Sequence, residues 1–243
     1  MTPRQIKASM RESVWERLVA ERLARFPLPI RGRIPNFKGA EQAAARLAQL
    51  PEFQAARAVK VNPDAPQRPV RELVLRSGKI LLTPTPRLRE GFLLIDPAGL
   101  RAGNLRAAAT IRGAATLGVR VGLEDIPRID LIVVGTVVAA QDGGRLGKGE
   151  GYAELEYATL RQLGLIDAAV PVLTTVHDAQ LAERVPIEVF DVPVDIIVTP
   201  TRVLRTGSKL SKPNGILWDL LDPRRIEEMP VLEELRLRFQ GVH

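Results

Sequence analysis

The chain has 243 residues, 45% of them hydrophobic, with no cysteine and two histidines. That is enough to bury the core of one generous α/β domain or two small ones, and it excludes disulfides, thiolate metal sites and a histidine-rich metal centre, so any metal would be oxygen-bound. Its 28 arginines and 7 lysines outnumber 28 acidic residues by a formal +7, which favours anionic partners, although the basic positions are interspersed with acidic ones and form no run.

The opening segment MTPRQIKASMRESVWERL has no apolar core of secretory length, and no later apolar run reaches a membrane span; a cytoplasmic protein is expected. Apolar positions at Ile6, Met10, Val14, Leu18 and Leu23 follow a helical spacing and predict an amphipathic N-terminal helix ended by FPLP. RIPNFKGAEQAAARLAQL reads as a structured loop entering a second helix. ARAVKVNP reads as a short buried strand and RPVRELVLRSG as a short helix, while KILLTPTP and GFLLIDP read as further strands. NLRAAATIRGAATLG fits helix or loop. RIDLIVVGTVVAA is one apolar β-branched run without alternation, the pattern of a strand covered on both faces. GGRLGKGEGY follows it, then YAELEYATLRQLGL with helical periodicity, then VPVLTTVHD and VDIIVTPTRVL as strands. Strands alternating with helices predict an α/β fold with a mostly parallel sheet flanked by helices. A turn-rich, basic stretch from Gly207 to Asn214 precedes GILWDLLDPRRIEEMPVLEELRLRF, read as one or two short helices. The expected organisation is an α/β domain over 1–206 and a C-terminal helical extension over 207–243 packing on it.

A glycine-rich loop between a buried strand and a helix is a place where an α/β sheet binds phosphate, because bare N–H groups converge there and the helix start adds positive potential. Gly147, Gly149 and Gly151 let the chain turn tightly and let an anion approach the backbone, with Arg145 and Lys148 adding charge. The loop is neither a P-loop, since Asp142 stands five before Gly147 and Gly149 follows Lys148, nor a dinucleotide fingerprint, since Tyr152 stands three after Gly149. Spacing alone leaves anion binding and a flexible surface turn both open.

The stretch GGRLGKGEGY resembles the signature of the 5-formyltetrahydrofolate cyclo-ligases, or methenyltetrahydrofolate synthetases, which runs G-x-R-L-G-x-G-x-G-Y-Y-D. Gly143, Arg145, Leu146, Gly147, Gly149, Gly151 and Tyr152 stand at its positions. KASMR resembles the family's K-x-x-x-R, and SGKILLTP its G-K-x-x-x-x-P strand. RIPNFKGA, VNPDAPQ, TPTPRLR, GKGEGYAELEYA, TTVHDAQ and TPTRV resemble the subgroup of methenyltetrahydrofolate synthase domain-containing proteins.

The resemblance implies the three-layer α/β sheet shared with ribose-5-phosphate isomerases and CoA transferases. It also implies ATP- and magnesium-dependent conversion of 5-formyltetrahydrofolate to 5,10-methenyltetrahydrofolate: the formyl oxygen is phosphorylated, N10 attacks the activated carbon, and phosphate leaves. By that resemblance Lys7 and Arg11 reach ATP phosphates, Arg145, Lys148 and the amides of Gly147, Gly149 and Gly151 complete the cradle, Tyr152 lines the site, and Glu154 holds magnesium. Asp64 or Gln67 is the nearest candidate for the acid that meets the folate ring, and Glu150 would oppose an anion if it pointed inward. The expected partners are folate and ATP, with no membrane, in a monomer or homodimer. The alternative is a non-catalytic nucleotide- or RNA-binding member of the same fold.

Each of these residues has a structural reading as well. Lys7 and Arg11, four apart, suit the solvated face of a helix. Glu150 and Glu154 suit the start of one. His177 suits a hydrogen-bonded structural role, and Trp15 and Trp218 suit packing.

Overall fold

Strands buried on both faces need helices on both sides of their sheet. The runs Ala58–Val61, Leu131–Val134, Val172–Thr175 and Ile196–Val198 are buried at every residue. In this computed structural model, which describes residues 1–240, α1 (Pro3–Ala20) precedes the strand pair β1 (Ala24–Arg25) and β2 (Asn36–Phe37), then α2 (Ala40–Leu47) and α3 (Pro51–Ala55). Next come β3 (Ala58–Val61), α4 (Arg68–Arg76), β4 (Ile80–Pro84), β5 (Phe92–Ile95), α5 (Leu105–Ala108), α6 (Ile111–Leu117) and β6 (Val119–Val121). The second half runs β7 (Leu131–Val134), β8 (Val138–Ala140), β9 (Arg145–Leu146), α7 (Tyr152–Gln162), β10 (Val172–Thr175), β11 (Leu181–Ala182), β12 (Ile196–Val198) and β13 (Val203–Arg205). Helices α8 (Pro223–Glu228) and α9 (Pro230–Gln240) follow; positions 241–243 of the expected extension lie outside the described residues.

Eight strands form the main sheet in the order β13-β12-β10-β7-β3-β4-β5-β6. The pairs from β12 through β4 are parallel, and the edge pairings β12–β13, β4–β5 and β5–β6 are antiparallel. Alternate residues of β7 divide the core. Leu131 and Val133 pack with Leu47 of α2 and Val70 and Val74 of α4, whereas Ile132 and Val134 pack with Tyr157 and Leu160 of α7 and Leu232 and Leu235 of α9. This is the mostly parallel, helix-flanked α/β architecture expected from the sequence. Helix α1 lies instead on the smaller sheet β11-β8-β9, with Trp15 and Leu18 against Val138 and Leu146.

Two segments differ from their expected form. RIDLIVVGTVVAA is not one strand: its first half is β7 of the main sheet and its second half is β8 of the small one. The chain leaves the ladder at Gly135, whose N–H donates to Asn62 Oδ1 at 3.3 Å and whose carbonyl accepts from Arg145 Nη1 at 3.0 Å, so side chains replace the strand partner. A Cβ at 135 would lie 2.5 Å from Asp64 Oδ2, so any other residue there displaces the Asp64 carboxylate. VDIIVTPTRVL is likewise a hairpin, β12 and β13, closed by a Thr199 N–H to Arg202 carbonyl bond of 2.9 Å. The undecided NLRAAATIRGAATLG forms α5 and α6, separated at Thr110, whose hydroxyl caps α6 by accepting from the Gly113 N–H.

Candidate active site

Open parallel sheets bind ligands beyond the carboxyl ends of their strands, and here a cavity of about 820 Å³ opens there. Its floor is Asn62–Asp64 beyond β3, Thr85–Arg87 beyond β4 and Gly135 beyond β7; the glycine loop and the start of α7 form one wall, and α1 and the segment Glu188–Asp191 form the others.

The loop has the openness that its composition predicts. Gly149 has φ +101° and Gly151, which caps α7, has φ +72°. A Cβ on Gly151 would meet nothing within 4 Å, and the nearest atoms to one on Gly149 would be those of the Arg11 guanidinium, from 3.5 Å. Arg11 Nε donates to the Gly147 carbonyl at 2.6 Å. No carboxylate pairs with Arg11 among the described residues, and burial pulls its pKa down while Glu154 opposes that shift. Lys7 is 6% exposed and bridges Glu188 and Asp191 at 2.6 Å each, so it is not on the solvated face of a helix. Lys148 pairs with Glu150 at 2.7 Å. Glu150 precedes the cap Gly151 and lies outside α7; its charge is met by the neighbouring lysine. Arg145 lies beneath the loop with every guanidinium nitrogen engaged, by Val192 O, Gly135 O and the Glu154 carboxylate. The cavity therefore carries six basic and six acidic side chains, with three of its cations held by carboxylates of the same chain.

Of the two folate-side candidates, Asp64 lines the cavity. Burial pushes its carboxyl up, with Lys148, Arg71 and Lys60 opposing. Arg71 holds this turn by donating to the carbonyls of Asn62 at 2.5 Å and Asp64 at 3.0 Å, and burial pulls its own pKa down to about 10. Gln67 is fully buried and turned toward β10, donating to the Thr175 hydroxyl at 3.2 Å. His177 stands apart from the cavity: Nδ1 accepts from the Ala179 N–H at 3.0 Å and the ring meets Phe37 edge-on, the structural role its solitude suggested.

The residues suit a phosphate-bearing nucleotide, with open loop amides, an arginine that pairs with no carboxylate among the described residues, and further cations within the same walls. No cluster of three metal-ligating side chains occurs among the described residues. Magnesium bound to a nucleotide draws on one or two carboxylates, phosphates and waters, and Glu154 offers Oε2, which accepts no hydrogen bond among the described residues.

The sequence did not reveal the buried trio at the floor of the cavity. Glu156 of α7 accepts from Lys60 Nζ and, at 2.8 Å, from Asn62 Nδ2; all three are at most 4% exposed. The signal was present, since a lysine inside the apolar run AVKV needs a buried partner. Glu188 and Asp191 had no comparable signal, because they sit in a segment without regular structure.

The 5-formyltetrahydrofolate cyclo-ligase family matches residues 4–200. The methenyltetrahydrofolate synthase domain-containing protein of Mus musculus is 47% identical over 236 residues, covering 96% of this chain and 63% of the relative; the human protein of that description is 43% identical over 248 residues, covering 99% and 64%. This chain thus spans a little under two thirds of those relatives. The solution structure of the 5,10-methenyltetrahydrofolate synthetase of Aquifex aeolicus superposes with a TM-score of 0.53 at 24% identity, covering 85% of this chain and 95% of that one, and shares its fold.

Proposed function

The chain belongs to the 5-formyltetrahydrofolate cyclo-ligase family, and from that premise we propose that it converts 5-formyltetrahydrofolate to 5,10-methenyltetrahydrofolate with ATP and magnesium. The observation that carries this reading is the glycine loop, open at Gly149 and Gly151, beside Arg11, which pairs with no carboxylate among the described residues, at the carboxyl ends of the parallel strands. When bound, Mg·ATP supplies the phosphoryl group that makes the formyl oxygen a leaving group for ring closure. The chain's own residues bind and orient, which is most of what phosphoryl transfer asks of a protein. Arg11 and the loop amides take phosphate oxygens, and Lys7 and Lys148 join them by exchanging their carboxylates for phosphate. Arg145 acts from below, fixing Glu154, which would hold magnesium, while Tyr152 lines the nucleotide side. Asp64, favoured in its neutral form by burial, offers a carboxyl to the nitrogen edge of the pterin. Calorimetric titration with Mg·ATP and then 5-formyltetrahydrofolate, followed by absorbance of methenyltetrahydrofolate, tests the reading.

The formal +7 charge of the chain favours a second reading, a non-catalytic nucleotide- or RNA-binding role. RNA affinity driven by phosphates falls steeply between low and moderate salt, and a flat response excludes it.

A further inference from the structure

The segment beyond residue 206 lies outside the span that the cyclo-ligase family matches, yet it reaches the glycine loop. It is anchored first. Lys212 pairs with Asp195 at 2.7 Å, the Ile216 N–H donates to Gln162 Oε1 at 3.2 Å, and Met229, Leu232 and Leu235 join the apolar layer that holds Tyr157 of α7. From this base α8 presents Arg225. Its Nη2 donates to the Glu150 carbonyl at 2.5 Å, and its guanidinium lies 4.9 Å from the centroid of the Tyr152 ring. Arg225 therefore grips the chain on both sides of Gly151, a residue in the left-handed region whose α-carbon faces open space.

The consequence follows from the planarity of the peptide. In a trans unit the carbonyl and the next N–H point in opposite directions. Holding the Glu150 carbonyl on Arg225 therefore turns the Gly151 N–H away from α8. That N–H meets no backbone acceptor among the described residues, and Gly151 lines the cavity.

We propose that Arg225 is a positioning residue of the candidate nucleotide site: the C-terminal extension, through Arg225, sets the 150–151 peptide so that its N–H serves as an anion donor. This rests on the nucleotide-binding part of the proposed function, but the geometry is testable without ligand. If Arg225 holds the peptide, its loss frays the first turn of α7, where the Leu155 N–H donates to the Gly151 carbonyl at 3.1 Å.

The test is amide hydrogen exchange of the full chain, resolved at Leu155 and at Leu160 deeper in the helix, for wild type, Arg225→Ala and Arg225→Lys, together with Mg·ATP affinity by calorimetry. Arg225→Ala is expected to speed exchange at Leu155 at least tenfold with Leu160 unchanged, and to weaken Mg·ATP about tenfold. Arg225→Lys, which keeps a cation over the Tyr152 ring, falls between. Unchanged exchange at Leu155, equal acceleration at Leu155 and Leu160, or unchanged ATP affinity in Arg225→Ala would each overturn the proposal. A wild-type chain that binds no nucleotide defeats the anion-donor role and the nucleotide reading together, whereas normal binding with unchanged exchange defeats only the role of Arg225.

Discussion

Replacing Lys60 by methionine isolates the energetics at the floor of the cavity. Lys60 and Glu156 are 1% and 3% exposed, so both charges are almost wholly withdrawn from water in the folded chain. In Lys60→Met the thioether chain fills most of the vacated volume, but Glu156 keeps only the Asn62 amide of its two donors. Breaking a buried ion pair from one side costs about 3–5 kcal/mol. At about 2–4 °C per kcal/mol for a domain of 150–250 residues, Tm falls by roughly 6–20 °C. Lys60→Met/Glu156→Leu recovers about 2 kcal/mol of this, because an apolar replacement of both partners is often neutral; about 1–3 kcal/mol remains lost, since the Asn62 amide is then left with an unmade bond. The sign of the pH dependence is also set. Burial already raises the Glu156 carboxyl, and losing Lys60 raises it further. A group with a raised folded pKa contributes stability that is present at low pH and lost as pH climbs through that value. The deficit of Lys60→Met should therefore widen from pH 5 to pH 8. Urea unfolding of wild type, both single variants and the double variant across that range is the assay. A deficit independent of pH, or single-variant losses that sum to the double-variant loss within about 0.5 kcal/mol, would show that the two side chains do not act as a coupled buried pair.

Gly149→Val forces a β-branched residue to φ +101° and sets its Cβ 3.5 Å from the Arg11 guanidinium. It should cost about 1–3 kcal/mol of stability and abolish Mg·ATP binding in calorimetry, and retained affinity would show that the loop does not approach phosphate. Lys7→Met leaves Glu188 and the nearly buried Asp191 facing each other without a cation; a loss of about 1–3 kcal/mol and faster proteolysis near residue 188 are expected, and an unchanged Tm contradicts the bridge. Asp64→Asn removes a carboxyl that burial pushes up. Wild type should lose stability relative to Asp64→Asn as pH rises from the ordinary aspartate value of about 3.9 through the raised one, and parallel melting curves from pH 4 to 8 would contradict that.

Much of the fold was legible because burial on both faces leaves its mark on composition. AVKV and LIVV read as buried strands and VLTT and IIV as strands, and the helical spacing of YAELEYATLRQ placed α7 directly after the glycine loop. What escaped was decided by tertiary hydrogen bonds. The split of RIDLIVVGTVVAA depends on Asn62 and Arg145 taking over the polar groups of Gly135, which no local pattern records. In the site, the residue types were legible and their partners were not. Arg145 could be read as a loop cation, but its engagement with Gly135, Val192 and Glu154 required the three elements to meet. Arg225 lies 75 positions from Glu150, with no spacing to join them.

A nucleotide and a folate are expected to occupy this cavity together. Purified protein titrated calorimetrically with Mg·ATP, then with 5-formyltetrahydrofolate, and finally followed by absorbance in the complete mixture tests this most directly. Both ligands are expected to bind, and 5,10-methenyltetrahydrofolate to accumulate only when ATP, magnesium and folate are all present. Nucleotide binding without folate binding or product would contradict it and leave a phosphate site serving another acceptor.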